Sequence, residues 1–324
     1  MGRTDTDTAT SRPPVRSSPV LALALVSRPW FWPVAWVPAY LGTVVASGGW
    51  LPVARDVPRA MLALLILGPL VWGAVLAQND LHDLRSDRRN PRKAAAPLVV
   101  GSISAARLAR WYRVLVVCAV GAATLLGPLF TLGVAGVLVL GWAYSAPPLR
   151  LKTRPGADVA VNAVVVGLLA PLAGWSLTRP VLEFPWPMGV FGLLFAAAFY
   201  LPTTVADLAA DRGADDTTFA VRYGQRLTYR LGVAVWAGTL ALSLVLAGLD
   251  VFVPPSTWPT QLALAPVLLV AYAVLTRRPT VFRLACLAAV FMLPTVGFAT
   301  AYVEAAHAAA LPPPAAQLYR VGAY

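Results

Sequence analysis

Charge is scarce in this chain: Asp, Glu, Lys and Arg make up 12% of its 324 residues, about half the usual share in a soluble domain. With 58% hydrophobic residues and a mean hydropathy of +0.69, a water-soluble fold is excluded. Cysteine is nearly absent. Cys118 and Cys286 lie in apolar stretches with no metal-ligand or redox spacing, so the expectation is that both pack as small hydrophobes. A secretory cleavage site is also missing: the apolar run 20–26 is too short to span a bilayer, and no small-residue cleavage site follows it. Residues 1–28 therefore read as a disordered cytoplasmic tail ending in an interfacial segment. Pro312, Pro313 and Pro314 cannot continue a helix, so 307–324 reads as a second tail.

What the chain has in quantity is apolar runs of about 20 residues, the length that crosses a bilayer. They fall at 29–48, 59–78, 111–127, 128–145, 158–176, 186–206, 228–248, 259–276 and 281–303. The expected fold is all-α, a bundle of nine transmembrane helices filling 29–306 around a central cavity. Gly127-Pro128, Pro185 with Pro187, and Pro254-Pro255 punctuate the series. The net charge of +12 raises nucleic-acid binding, but the basic residues follow the spans. With the N-terminus inside, all 26 Lys and Arg except Arg55, Arg59, Arg179 and Arg320 fall on the cytoplasmic side. The partner this charge implies is the lipid bilayer and no nucleic acid. The chain is expected to be an integral protein of a bacterial cell membrane with a cytoplasmic N-terminus.

Acids are few, and half of the fourteen sit in two short segments: Asp80, Asp83 and Asp87, then Asp207, Asp211, Asp215 and Asp216. Each segment closes a span on the cytoplasmic side. On a helix, Asp80, Asp83 and Asp87 share one face at i, i+3 and i+7, with Asn79 beside Asp83, and Asp207, Asp211 and Asp215 share another at i, i+4 and i+8. Carboxylates crowded on one face repel each other and invite a multivalent cation. Mg²⁺ fits best, being a hard ion that takes oxygen ligands and bridges carboxylates to phosphate. The candidate metal ligands are therefore Asn79, Asp80, Asp83, Asp87, Asp207, Asp211 and Asp215. Two such faces around one cavity can hold a diphosphate and stabilise it as a leaving group.

A third stretch, Tyr144-Ser145-Ala146-Pro147-Pro148-Leu149-Arg150-Leu151-Lys152, follows the fourth span on the same side. Lys152 and Arg150, with Tyr144 and Ser145, are candidate diphosphate contacts; the plainer reading is a positively charged cytoplasmic loop. Arg88 and Arg222 carry the same two readings. Asn162, a lone amide in an apolar span, either lines the substrate cavity or joins two helices. His82 falls off the acidic face, which gives it a surface role. Catalysis is assigned to Asp80, Asp83, Asp207, Asp211 and Lys152, and Asn79 joins the candidate diphosphate contacts.

Asn79-Asp80-x-x-Asp83-x-x-x-Asp87 and Asp207-x-x-x-Asp211-x-x-x-Asp215 at this separation resemble the two motifs of the UbiA superfamily of intramembrane prenyltransferases, and the resemblance covers nearly the whole membrane part. It implies a nine-helix bundle in which Mg²⁺ binds a prenyl diphosphate and an acceptor captures the allylic cation. The segment 144–152 is similar to the chlorophyll and bacteriochlorophyll synthase branch. In place of the family's Arg-Pro-Ile/Leu-x-Ser-Gly run the chain has Ala96-Pro97-Leu98-Val99-Val100-Gly101, which bears on the acceptor more than on the diphosphate chemistry. The expected acceptor is hydrophobic: a quinone precursor, a polyprenyl or carotenoid lipid, or a tetrapyrrole. A terpene cyclase on the same fold would need no acceptor. A lipid transporter or binding protein would carry charges deep in its spans, a signature mostly missing from this sequence.

Overall fold

The computed structural model describes residues 18–89, 93–214 and 216–310. Among the described residues ten helices longer than a single turn follow one another: α1 (Pro19–Ser27), α2 (Pro33–Ser47), α3 (Ala54–Asp87), α4 (Ala105–Leu126), α5 (Pro128–Ser145), α6 (Ala157–Trp175), α7 (Trp186–Gly213), α8 (Phe219–Gly248), α9 (Pro255–Thr276) and α10 (Val281–Ala310). Among the described residues α3 to α10 are each long and apolar enough to cross a membrane. The segments 20–31 and 33–47, bent by 51°, make a ninth span if counted as one. The expected all-helical membrane bundle is what the structure shows.

Span ends differ from the sequence expectation in one consistent way. The second apolar run ends at 78 and the sixth at 206, yet α3 continues through Asp87 and α7 through Gly213. Hydropathy falls at the first polar residues, but backbone hydrogen bonding does not. Asp80, Asp83 and Asp87 thus lie in the last turns of α3, and Asp207 and Asp211 in those of α7. The short apolar run near the N-terminus is helix α1, and it buries Ala22 and Val26 against Ala77, Leu98, Ile103 and Leu108. Residues 307–310, expected in a tail, complete α10; the remainder of both proposed tails lies outside the described residues. Cys118 is exposed on α4 and Cys286 is half-buried, a correction to the expected packing. A lipid-facing helix surface accepts small apolar side chains as readily as the core does.

Lipid tails are as apolar as leucine, so burial alone gives helices little reason to associate within a membrane, and close packing has to do so. Glycine permits it at two crossings. A Cβ on Gly174 of α6 would lie 1.7 Å from the Ala39 carbonyl oxygen of α2, and one on Gly167 would lie 2.2 Å from the Gly192 carbonyl oxygen of α7. Backbone therefore touches backbone on both sides of α6. Thr43 adds a hydrogen bond to the Gly174 carbonyl at 3.2 Å.

Widened turns interrupt α3 at Ile66–Trp72 and α6 at Ala163–Leu169, each beside a proline that has no N–H to give. In α3 the indole of Trp36 donates to the Leu64 carbonyl at 2.9 Å, one turn before Pro69. Helices α7 to α10 close around Phe195, Trp236, Tyr272 and Phe291, with Trp236 and Phe291 stacked at 4.2 Å. The Tyr272 hydroxyl donates to the Ala198 carbonyl at 2.8 Å, which satisfies its polar end inside the apolar cluster.

Candidate functional site

Successive spans alternate in direction, so the C-terminal ends of α3, α5 and α7 and the N-terminal ends of α4, α6 and α8 share one side of the bundle. The loop between α5 and α6 crosses that side and carries the basic pair. Lys152 Nζ donates to Asn79 Oδ1 at 3.1 Å and pairs with Asp83 Oδ2. Arg150 Nη2 lies 3.3 Å from Asp83 Oδ1 and 3.3 Å from Asp216 Oδ1, so one guanidinium spans the first and second acidic segments. Ser145 Oγ donates to Asn79 Oδ1 at 3.2 Å. The Lys152 side chain is only 11% exposed and that of Asp83 12%, so water screens this pair little.

The first acidic face divides in two. On a helix Asp80 and Asp87 lie within about 20° of each other, whereas Asp83 is turned from them by about 40–60° and Asn79 by about 80–100°. Arg28 Nη2 meets Asp80 Oδ1 at 2.7 Å, and Lys93 Nζ lies 3.5 Å from Asp80 and 3.2 Å from Asp87. Asn79 and Asp83 face Lys152 and Arg150 instead. Arg28 and Arg150 both have left-handed backbones, with φ of 46° and 40°, a conformation that costs on the order of 1–3 kcal/mol for a non-glycine residue. In each case that backbone aims a guanidinium at a carboxylate of the first segment.

On the second segment Asp211 Oδ2 accepts from Thr218 Oγ1 at 2.9 Å, and Asp207, one turn earlier, is exposed. Asp215 lies outside the described residues. Arg88 and Arg222 are exposed at the ends of their helices, so charge alone supports their assignment to the diphosphate. His82 is exposed. Among the described residues no three His, Cys, Asp or Glu side chains are grouped closely enough to hold a metal by themselves; the split face and the interposed cations account for that.

Asn162 joins helices α6 and α5. Its Nδ2 donates to the Tyr144 hydroxyl at 3.2 Å and to the Asp158 carbonyl at 2.9 Å, and Tyr144 and Tyr200 share a hydroxyl–hydroxyl hydrogen bond of 2.8 Å. Sequence reasoning did not find Arg28, Tyr200 or the fully buried Asp158. The available signal for Asp158 was its i, i+4 relation to Asn162; nothing local distinguishes Tyr200. Deeper between the helices, an apolar cleft of about 140 Å³ is lined by Leu67, Val71, Phe130, Val137, Val165 and Leu169 among others. Val165 is one turn from Asn162 along α6, and Val137 is two turns from Tyr144 along α5, about 10 Å.

The profile of the UbiA prenyltransferase family matches residues 35–279. A lycopene elongase/hydratase of Haloarcula japonica is 30% identical over 242 residues, 71% of this chain and 76% of that one. A probable homogentisate phytyltransferase of rice is 30% identical over 196 residues, and the match spans 57% of this chain but only half of the rice protein. The structure of a UbiA homolog from Archaeoglobus fulgidus bound to DMAPP and Mg²⁺ superposes with a TM-score of 0.67 at 22% identity, covering 87% of this chain and 99% of that one, a likeness of fold.

Proposed function

The chain belongs to the UbiA prenyltransferase family, and from that premise we propose that it transfers the prenyl group of an isoprenoid diphosphate to a lipophilic acceptor within the membrane, with Mg²⁺ as cofactor. The observation that carries this reading is the convergence of both acidic segments on one basic loop, through Lys152 to Asn79 and Asp83 and through Arg150 to Asp83 and Asp216.

The donor chemistry fits the ion. Asn79, Asp80, Asp83 and Asp87 on α3 offer only oxygens, as do Asp207, Asp211 and Asp215 on the second segment, and such hard donors suit Mg²⁺. These are the residues that would hold it. When bound, the ion neutralises diphosphate charge and acts as a Lewis acid on the leaving group. Lys152 and Arg150 are the chain's own diphosphate donors, supplying charge-assisted N–H contacts to phosphoryl oxygens as the allylic carbon–oxygen bond breaks. The low exposure of Lys152, 11% for its side chain, keeps water from screening its contact. The apolar cleft beyond Asn162 suits a prenyl tail and keeps water from the allylic carbon. Capture by an aromatic ring or alkene forms a carbon–carbon bond and then releases a proton, whereas capture by the carboxylate of a tetrapyrrole acid forms a carbon–oxygen bond; in each case diphosphate leaves with the electron pair of the broken carbon–oxygen bond. An aromatic ring or alkene needs only to lie against the allylic cation, which suits a quinone precursor or a polyprenyl or carotenoid lipid; a tetrapyrrole acid, reacting through its carboxylate, is the third acceptor class. The acidic segments belong on the cytoplasmic side, where the soluble diphosphate arrives.

Alanine at Asp80 or at Asp207 tests the reading. Turnover of allylic diphosphates by the purified chain is expected to fall about a hundredfold, equivalent to ~2.7 kcal/mol of lost transition-state stabilisation. Unchanged turnover in both variants refutes it.

A further inference from the structure

Asp158 has no part in the reaction described above, yet it is completely buried. A buried carboxylate is costly unless its oxygens are satisfied, and here both are. Oδ1 accepts from the Gly156 amide at 2.8 Å, and Oδ2 accepts from the Phe219 amide at 2.7 Å. Gly156 has a φ of +94°, a backbone open to glycine and strained for other residues, and this turn brings its N–H back to Asp158.

Phe219 is the first residue of α8, where the amide has no partner within its own helix. Thr218 stands at the capping position, and threonine there usually accepts from an amide of the first turn. Its side chain makes no such cap; its hydroxyl donates instead to Asp211 at 2.9 Å. Asp158 satisfies an amide at the α8 terminus from a different helix, and a negative charge at a helix N-terminus is also favoured by the helix dipole. Thr218 is thereby left to hold a candidate metal ligand. The same segment of chain carries Arg150, which ties Asp83 to Asp216, while the Asp158 carbonyl receives Asn162.

We propose that Asp158 is a positioning residue that caps α8 in trans and so fixes the Asp211–Thr218 loop opposite Asn79 and Asp83. It acts through Asp211 and does not touch substrate. The proposal rests on the functional reading above for its link to Mg²⁺, but the cap can be tested without it.

The test uses the full chain in detergent or nanodiscs, with Asp158→Asn, Phe219→Pro and Phe219→Ala. Proline is well suited to the first position of a helix, so Phe219→Pro removes the donated N–H and leaves Asp158 in place. Phe219→Ala removes the ring and keeps the N–H. Two quantities are read: hydrogen exchange of the peptide covering 216–223 without metal or substrate, and the Mg²⁺ concentration giving half-maximal diphosphate release. Asp158→Asn and Phe219→Pro are expected to speed exchange in that peptide while peptides of α9 and α10 stay as in the parent. Both should raise the half-saturating Mg²⁺ by roughly tenfold or more, the value of one charged hydrogen bond, with a smaller change in kcat; Phe219→Ala should do neither. Equal exchange in Phe219→Pro and Phe219→Ala overturns the cap, and an unmoved Mg²⁺ dependence with faster exchange overturns the positioning role. If Asp158→Asn does not fold, the Phe219 pair decides alone. A parent protein that releases no diphosphate with Mg²⁺ refutes the functional reading, while the exchange contrast still decides the cap.

Discussion

Replacing Lys152 with methionine separates two effects that a merely structural lysine would not separate. The ammonium sits against Asp83 and Asn79, which makes it a competitor for a cation and an ally for an anion. At about 4 Å and an effective dielectric near 20, a unit charge contributes at most ~4 kcal/mol, and a charge-assisted hydrogen bond nets about 1.5–3 kcal/mol. Removing the charge should therefore tighten metal binding without diphosphate and raise KM for the diphosphate by roughly 10- to 100-fold. The metal arm is read by calorimetric titration of Mg²⁺ into the purified chain, and the substrate arm by steady-state diphosphate release at saturating Mg²⁺. Lys152→Arg, which keeps the charge, should fall between parent and methionine in the substrate arm. If Lys152→Met weakens metal and diphosphate together, or moves neither, the assignment of Lys152 to the diphosphate is wrong.

Arg150→Lys retains a positive charge but loses the guanidinium whose Nη2 reaches Asp83 and Asp216 together; kcat/KM is expected to drop about tenfold, ~1.4 kcal/mol, and parental kinetics would show that the bridge does nothing for turnover. Gly167→Ala must push the α7 backbone away, because its new Cβ would lie 2.2 Å from the Gly192 carbonyl; a loss of about 1–3 kcal/mol should appear as a lower melting temperature in detergent, whereas Gly121→Ala, with nothing within 4 Å of its Cβ, should melt like the parent.

The membrane bundle was legible because apolar runs of bilayer length leave little alternative, and the acidic motifs because carboxylates are so rare elsewhere in the chain. The ends of α3 and α7 were not, since hydropathy stops at Asn79 and at Asp207 while the helices go on to Asp87 and Gly213. Periodicity placed Asp80, Asp83 and Asp87 on one face, but it cannot see that Arg28 and Lys93 draw two of them one way while Lys152 draws Asp83 another. Lys93 is only six residues beyond Asp87, but Arg28, at the end of α1, and Lys152, on the loop after α5, are 52 and 69 residues from the carboxylates they meet. Asp158 escaped for a related reason: its worth lies in an amide 61 residues away, which no local pattern announces.

The most direct test of prenyl transfer is to incubate the purified protein with geranyl to geranylgeranyl and longer diphosphates, with Mg²⁺ or with EDTA, and to follow diphosphate and organic products by mass spectrometry with and without a membrane extract. The account predicts Mg²⁺-dependent diphosphate release that requires the extract, with an adduct whose mass identifies the acceptor. Release that EDTA leaves untouched, or a hydrocarbon formed from the diphosphate alone, would contradict it.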